Sequence, residues 1–167
     1  MEIRAALPPM VSLVALVVNM APVDIRNLIK CVQPDLIQYH GDESSELCAE
    51  IGHPYWKAIR VRDRGDVERA VGAYTDARAL LLDAWVDGIP GGTGAQIDHN
   101  VMPEQVGRPW ILAGGLNPLN VADALQRYRP AAVDVSSGVE ESPGIKDSSK
   151  LRAFISAVKQ WDEAQSL

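Results

Sequence analysis

Short apolar runs recur along the chain and are separated by segments of mixed polarity. Most of the runs are apolar throughout and do not alternate with polar positions. This pattern is typical of parallel strands that are covered on both faces. The runs lie at 11–18, 35–40, 57–61, 79–83, 109–115 and 131–138. We therefore predict six buried strands, one for each run.

Helical periodicity fills the segments between these runs. Apolar residues recur there at i, i+3, i+4 and i+7, which places them on one face of a helix. We expect Asn117, followed by Pro118, to cap one of these helices, and Asp147 or Ser148 to cap the last one. The clearest helical stretches are 25–32, 67–74, 121–128 and 151–158, and 44–51 is a weaker one.

The alternation of strands and helices predicts a parallel α/β fold. No Asn-Gly or Asp-Gly turn joins alternating strands, so we expect no antiparallel hairpin. Two architectures fit this order, an open doubly wound sheet and a (β/α)8 barrel. The first strand is not followed by GxGxxG, which disfavours dinucleotide binding. No linker divides the chain, and we expect a single domain over 1–167.

Charge and cysteine content narrow the range of partners. The net charge is −6 and the pI is about 5.0, which argues against nucleic-acid binding. No apolar run approaches the ~18 residues of a membrane span. Cys31 and Cys48 match no metal or redox spacing, and we expect free thiols, buried or half-buried, in a cytoplasmic protein. No spacing of His, Asp and Glu suggests a metal site, and we predict none.

Polar and small residues follow the predicted strands, at the end where parallel α/β folds place their sites. Glycine and serine turns let backbone N–H groups approach an anion closely. Tight turns alone would also explain these glycines, but two such loops at successive strand ends favour a phosphate site. The candidates at strand ends are Gln38, His40, Asp83, Gly114, Gly115, Asp134, Ser136, Ser137 and Gly138.

Asp83 closes the apolar run LLLD and is the candidate acid. A carboxyl group at a strand end, partly removed from water, is able to donate a proton to a substrate. On position alone, a structural role in capping a loop N–H group is equally well supported. Asp134 lies one residue deeper in its strand, where a structural or supporting role is as well supported as a chemical one. His40 by itself is more typical of a loop hydrogen bond than of a catalyst.

Four longer segments contain most of these residues. They are LIQYHGDE (36–43), LLLDAWVDGIPGGTG (80–94), WILAGGLNPLNV (110–121) and AVDVSSGVEESPGIKD (132–147). Taken together, these segments resemble the phosphoribosylanthranilate isomerase family of tryptophan biosynthesis. They follow one another in the family's order and at its spacing. LLLD followed by PGGTG is characteristic of the family, and the last two segments are long and specific.

The resemblance implies a (β/α)8 barrel that uses neither a metal nor an organic cofactor. It also implies an Amadori rearrangement of N-(5-phosphoribosyl)anthranilate to 1-(2-carboxyphenylamino)-1-deoxyribulose 5-phosphate. Asp83 matches the general acid, and Gln38 and His40 match positions that line the pocket. The phosphate loops correspond to Gly114, Gly115, Ser136, Ser137 and Gly138, and the loop near the anthranilate corresponds to Gly91, Gly92, Thr93 and Gly94.

Two parts of the family pattern have no counterpart in this chain. The family's general base is a cysteine at the end of the first strand, in a segment resembling KICGLTR, and a substrate-contacting arginine follows the second strand. The resemblance therefore implies six βα units, an N-terminally incomplete barrel domain over 1–167, and exposed edges through which the chain could self-associate. Such a chain would be inactive alone, a shortened isomerase or a non-catalytic phosphate-binding remnant. A thiamine-phosphate synthase or pentose-phosphate epimerase relative is a weaker alternative.

Overall fold

A single parallel sheet forms the centre of the protein in the computed structural model, which describes residues 2–84 and 106–165. Its strands are hydrogen-bonded to one another in chain order. They are β1 (Val14–Val17), β2 (Leu36–Tyr39), β3 (Tyr55–Val61), β4 (Ala79–Ala84), β5 (Trp110–Ala113) and β6 (Ala132–Val133). The sheet curls through 185° into a half-barrel. Each strand coincides with one of the predicted apolar runs, and the parallel α/β prediction is confirmed.

Helices follow the strands and cover the outside of the half-barrel. They are α1 (Glu2–Ala6), α2 (Pro22–Val32), α3 (Ser45–Ile51), α4 (Arg64–Ala73), α5 (Val121–Tyr128) and α6 (Ser148–Gln165). Most of the apolar positions predicted from periodicity pack inward, as Ile25 and Val67 illustrate with 0% and 1% exposure. Val32 and Ile155, on the same predicted stripes, are exposed. In α6, the Asp147 carboxylate accepts hydrogen bonds from the N–H groups of Ser149 and Lys150, as expected of an N-cap.

The core lies on both faces of the sheet, which explains why a strand such as β4 is apolar at nearly every position. In β4, Leu80 and Leu82 belong to the large cluster that packs against the helices. Leu81 points the other way and packs with Ala58 and Ile111 inside the half-barrel. All three leucines are 0% exposed. Because side chains alternate across a strand, a strand buried on both faces needs apolar residues at every position.

The start of α5 differs from the sequence prediction. The helix begins at Val121 with Asn120 at its N-cap, rather than directly after Asn117. The Asn117 side chain instead accepts a hydrogen bond from the N–H of Leu119, while the Asn120 side chain accepts one from the N–H of Asn117. These reciprocal bonds hold the segment as a turn that precedes the helix, because asparagine side chains compete with helical bonding.

A small antiparallel hairpin was also missed. Strands β7 (Glu140–Ser142) and β8 (Ile145–Lys146) pair apart from the main sheet. Their turn contains Gly144 at a φ of 81°, a conformation that favours glycine. The turn is formed by Pro143-Gly144 rather than by the Asn-Gly or Asp-Gly pair expected of a tight hairpin.

The two cysteines are both helical, as predicted, but their burial differs. Cys31 in α2 is exposed, which corrects the expectation of a buried or half-buried thiol, whereas Cys48 in α3 is buried. Burial raises the pKa of the Cys48 thiol to about 11. None of the helices that the structure describes is long and apolar enough to cross a bilayer. The extent of the domain over 1–167 remains a prediction.

Candidate active site

A cavity of about 630 Å³ opens at the carboxyl ends of the strands. It is the place where all the predicted site residues that the structure describes come together. Val14 and Leu16 of β1 add an apolar wall that sequence reasoning had not assigned to the site. The predicted residues in its lining are Gln38, His40, Asp83, Gly114, Gly115, Asp134, Ser136, Ser137 and Gly138.

The loop after β5 is shaped by backbone geometry. Gly114 and Gly115 have φ angles of 89° and 65°, in the left-handed region where a side chain is disfavoured. The Gly115 carbonyl accepts a hydrogen bond of 3.0 Å from the Asn120 amide at the N-cap of α5. The asparagine that caps the helix therefore also fixes the loop, which explains why AGGL and the following Asn-rich turn occur as one motif.

The loop after β6 packs directly against the loop after β5. A Cβ atom at Gly138 would lie 1.8 Å from the Leu116 carbonyl oxygen, which is far inside van der Waals contact. Ser137–Val139 form a short 3₁₀ turn at this point. The Lys146 ammonium donates to the Ser136 carbonyl at 2.9 Å and fixes the loop from the hairpin side. Gly138 is required by this close approach.

Three polar side chains lie in a line across the other side of the cavity. The Gln38 amide nitrogen of β2 lies 2.9 Å from Nδ1 of His40. His40 Nε2 in turn lies 3.7 Å from Oδ2 of Asp83 at the end of β4. The His40 and Asp83 side chains are 25% and 32% exposed, so both remain in reach of a molecule in the cavity.

Asp134 is the second carboxyl group of the cavity. Burial raises the pKa of Asp134 above its usual value, the Asp83 carboxylate raises it further, and His40 and Lys146 act in the opposite direction. Asp134 therefore interacts electrostatically with the His40–Asp83 pair as well as with the hairpin lysine. Asp134 directly follows Val133, the last residue of β6, so the sequence prediction that it lies one residue deeper in its strand is wrong.

A buried ion pair beneath the loop after β2 was missed by sequence reasoning. Lys57 of β3 and Glu43 are 2% and 3% exposed, and Nζ lies 3.3 Å from the glutamate oxygen. Nζ also donates to the Gly41 carbonyl at 2.7 Å. Glu43 accepts from the N–H groups of Asn19 and Gly41. The signal was Lys57 at the start of the predicted buried strand KAIRV, because a lysine requires a partner when it is buried.

Some of the predicted features do not belong to this cavity or cannot be placed in it. Gly91, Gly92, Thr93 and Gly94 lie outside the described residues. Over residues 2–84 and 106–165, no group of three His, Cys, Asp or Glu side chains is placed to hold a metal ion. Both cysteines are on outer helices, away from the cavity lining.

Most of the sequence matches a protein-family model. The model, described as N-(5'phosphoribosyl)anthranilate (PRA) isomerase, matches residues 2–157. The chain belongs to this family. The N-(5'-phosphoribosyl)anthranilate isomerase of Pseudomonas fluorescens strain Pf0-1 is 50% identical over 158 residues, which are 95% of this chain and 78% of the relative. The family membership inferred from the motifs is therefore confirmed. The members of this family are isomerases.

Solved phosphoribosylanthranilate isomerases share the fold. The enzyme from Thermotoga maritima superposes with a TM-score of 0.85 at 39% identity, covering 95% of this chain and 78% of that one. A second structure, a complex with reduced 1-(o-carboxyphenylamino)-1-deoxyribulose 5-phosphate, superposes with a TM-score of 0.80 at 38% identity, covering 95% of this chain and 77% of that one. The half-barrel therefore belongs to the (β/α)8 barrel family, as predicted.

Proposed function

We propose that this cavity binds N-(5-phosphoribosyl)anthranilate and isomerises it by an Amadori rearrangement, as a step of tryptophan biosynthesis in the cytoplasm. The observation that carries the proposal is that Asp83 and the two glycine and serine loops line one cavity. A substrate with a phosphate at one end and a ring oxygen at the other would meet both. The acidic net charge of −6 supports a small-molecule partner over a nucleic acid.

The residues take roles that follow from their chemistry. The loops at Gly114–Gly115 and Ser136–Gly138 hold the phosphate through backbone N–H groups, because such turns present several donors to an anion. Asp83 protonates the ribose ring oxygen, which opens the ring to a Schiff base. A base then removes the proton from C2, and the resulting enolamine tautomerises to the ketone. Gln38, His40 and Asp134 complete the wall around the reacting carbons.

Within residues 2–84 and 106–165, no cysteine is placed to match the family's general base. Cys31 is exposed on α2 and Cys48 is buried in α3, so neither cysteine lies at a strand end. Loss of a proton-transfer base costs on the order of 10²–10⁴ in rate. We therefore propose that these 167 residues bind the substrate but turn it over slowly. The placement of the cysteines also favours a second candidate function, a phosphate-binding protein of the same fold without isomerase activity.

Ligand selectivity separates the two candidates. An isomerase site is expected to bind the reduced product analogue at least about tenfold more tightly than ribose 5-phosphate, because it also contacts the anthranilate end. Isothermal titration calorimetry with both ligands measures this ratio. Equal affinities would support the phosphate-binding protein and contradict the isomerase.

Turnover provides the second test of the proposal. Residual conversion of N-(5-phosphoribosyl)anthranilate, followed by loss of its fluorescence, is expected to fall by roughly 10²–10⁴ when Asp83→Asn removes the acid. Asp76→Asn, outside the cavity lining, is the matched control. Wild-type conversion at rates typical of the family would show that another residue serves as the base. Conversion unaffected by Asp83→Asn would remove Asp83 from the mechanism.

The outer strands of the sheet support a further part of the proposal, self-association. Strands β1 and β6 are the first and last strands in the hydrogen-bonded order of the sheet. Leu16 in β1 and Val18 directly after it are 55% and 54% exposed. Exposed apolar edges promote pairing between chains. Light scattering should show association that Val18→Lys reduces and that Val23→Lys, on the outer face of α2, leaves unchanged. A monodisperse monomer at all concentrations would contradict this.

A further inference from the structure

Side chains from behind the cavity hold one carbonyl group in each of the two loops. The Gly115 carbonyl accepts hydrogen bonds from the side-chain amides of Asn120 at 3.0 Å and Asn117 at 3.5 Å. The Ser136 carbonyl accepts one from the Lys146 ammonium at 2.9 Å. Gly115 and Ser136 line the cavity, whereas the three donors are not among the described residues that line it. Both carbonyl groups are therefore turned away from the cavity.

The planarity of the peptide bond determines where the neighbouring N–H groups point. In a trans peptide, the C=O group and the N–H of the next residue point in opposite directions, and no cis peptide bond occurs among the described residues. Holding the Gly115 carbonyl outward directs the Leu116 N–H toward the cavity. In the same way, the outward Ser136 carbonyl directs the Ser137 N–H toward it. Leu116 and Ser137 both line the cavity.

The same hydrogen bonds also make these two N–H groups better donors. A carbonyl group that accepts a hydrogen bond polarises its peptide group, which strengthens the N–H at the other end. The effect is larger at Ser136, because its partner is a charged ammonium group. A donor that is already oriented before the ligand arrives loses little further freedom on binding. Both peptides are therefore prepared to bind an anion.

The β7–β8 hairpin fixes the position of the lysine. Lys146 lies in β8, and its ammonium is 2.7 Å from Oε1 of Glu140 in β7. The other Glu140 oxygen accepts from the N–H of Gly144 in the turn at 3.3 Å. Directly after β8, the Asp147 N–H donates to the Val139 carbonyl at 2.8 Å. The hairpin thus holds the ammonium group against the loop after β6, and this gives a use to a feature that the strand pattern did not predict.

We propose that the N–H groups of Leu116 and Ser137 bind the substrate phosphate, and that Asn120 and Lys146 are positioning residues that orient them. This inference rests on the proposed function, because it names the donors of the proposed phosphate site and the side chains that support them. Asn120 and Lys146 act through the peptide groups and do not touch the anion. The hairpin accordingly serves binding as well as the fold.

Nuclear magnetic resonance titration with sulfate tests the proposal on the full chain without requiring turnover. Backbone amide signals are followed at constant pH and ionic strength, with chloride replaced stepwise by sulfate. An N–H that donates to an anion is deshielded, so the amide protons of Leu116 and Ser137 are expected to show the largest downfield shifts. The concentration dependence of the shifts gives the affinity for sulfate.

Each positioning residue should affect its own donor. Asn120→Ala, which changes no charge, should lower the affinity for sulfate about tenfold and remove the downfield shift of Leu116 at saturation while that of Ser137 remains. Asn120→Asp, which keeps the oxygen that accepts from the Asn117 N–H, should remove the same shift. Lys146→Met should also lower the affinity about tenfold, but remove the shift of Ser137 instead. A general loss of structure would move both signals together.

Lys150→Met is the matched control for the loss of charge. The Lys150 ammonium donates to the Glu140 carbonyl at 2.7 Å, so this variant removes the same charge without releasing the Ser136 carbonyl. Its affinity for sulfate should fall by no more than about twofold, because an exposed charge that does not touch the anion is screened by salt. Lys146→Arg should restore most of the affinity, since a guanidinium group is also able to donate to the carbonyl.

The possible outcomes separate failure of the positioning role from failure of the phosphate site. If sulfate shifts the amides of residues 114–116 and 136–138, but Lys146→Met weakens binding no more than Lys150→Met, the role of Lys146 is wrong and the phosphate site stands. The role of Asn120 is wrong in the same way if Asn120→Ala binds sulfate like the wild type or loses both shifts equally. If sulfate leaves all these amides unchanged in the wild type, the phosphate site and the positioning roles are both overturned.

Discussion

The two sides of the cavity are held in place by different kinds of interaction. On the β2–β4 side, side chains define the surface: Gln38, His40 and Asp83 form a line above the buried Lys57–Glu43 pair. On the β5–β6 side, backbone turns define the surface, and the side chains are small. Charge pairing holds the first side, whereas close backbone approach at Gly138 holds the second. Substitutions should therefore act electrostatically on one side and sterically on the other.

Breaking the buried Lys57–Glu43 pair should have the largest effect on stability. Lys57→Met would leave the Glu43 carboxylate buried without its cation, and is expected to lower the free energy of unfolding by about 3–5 kcal/mol. Urea denaturation followed by circular dichroism measures this loss. Arg26→Met is the matched control, because the Arg26–Glu50 pair has side chains 44% and 67% exposed and should cost about 0–1 kcal/mol. Equal losses for the two variants would show that burial does not distinguish the pairs.

A methyl group at Gly138 should give the next largest effect, on the opposite side of the cavity. Gly138→Ala must displace the Leu116 carbonyl, and is expected to cost about 1–3 kcal/mol of stability and to abolish anion binding by the loops. Thermal unfolding and sulfate titration of the loop amides measure the two effects. Gly72→Ala is the control, since an added Cβ there meets nothing within 4 Å and should leave both unchanged or improve stability slightly. Intact sulfate binding in Gly138→Ala would refute the steric account.

Substitution of Asp134 should have the smallest effect on stability, and it should raise the stability rather than lower it. Burial is the main cause that raises the pKa of Asp134 above its usual value in the folded state, so ionisation of this carboxyl group destabilises the fold. The penalty is absent below about pH 3.8, where the carboxyl group is protonated in both states, and is complete above the folded-state pKa. Asp134→Asn should therefore raise Tm at pH 7 by roughly 2–4 °C, with a difference that disappears at low pH.

Asp147→Asn provides the contrast for this pH dependence. The N–H groups of Lys150 and Ser149 hold the pKa of Asp147 below its usual value. Its stabilising contribution is present at neutral pH and is lost as the pH falls through the folded-state pKa, so the substitution should lower Tm at pH 7. Differential scanning calorimetry of both variants at several pH values measures this. A lower Tm for Asp134→Asn at pH 7 would mean that the Asp134 carboxylate makes a stabilising contact.

The order of the sheet could be predicted because each strand and helix carries a local pattern. A continuous apolar run such as LLL at 80–82 indicates burial on both faces wherever the strand lies. Features that depend on a second segment could not be predicted in this way. The Lys57–Glu43 pair and the contact between Gly138 and Leu116 arise only when strands or loops that are distant in sequence lie side by side. Likewise, the reciprocal bonds of Asn117 and Asn120 moved the start of α5.

The candidate site was predictable to a similar extent. Strand ends converge in any parallel half-barrel, so the sequence was sufficient to place Asp83 and the two loops at the same edge. The link from Gln38 through His40 to Asp83 depends on distances between β2 and β4, which no spacing in the sequence contains. The roles of these residues in catalysis remain predictions.

The contact between Gly138 and the Leu116 carbonyl also bears on how such a cavity can diversify. Backbone amides bind an anion whatever the neighbouring side chains are, and the steric contact leaves almost no freedom at Gly138. Side chains at Gln38, His40 and Asp83 are free of that constraint. Substitutions on the β2–β4 side of the cavity could therefore change the chemistry, while descendants of this sequence keep the proposed anion-binding loops of the β5–β6 side unchanged.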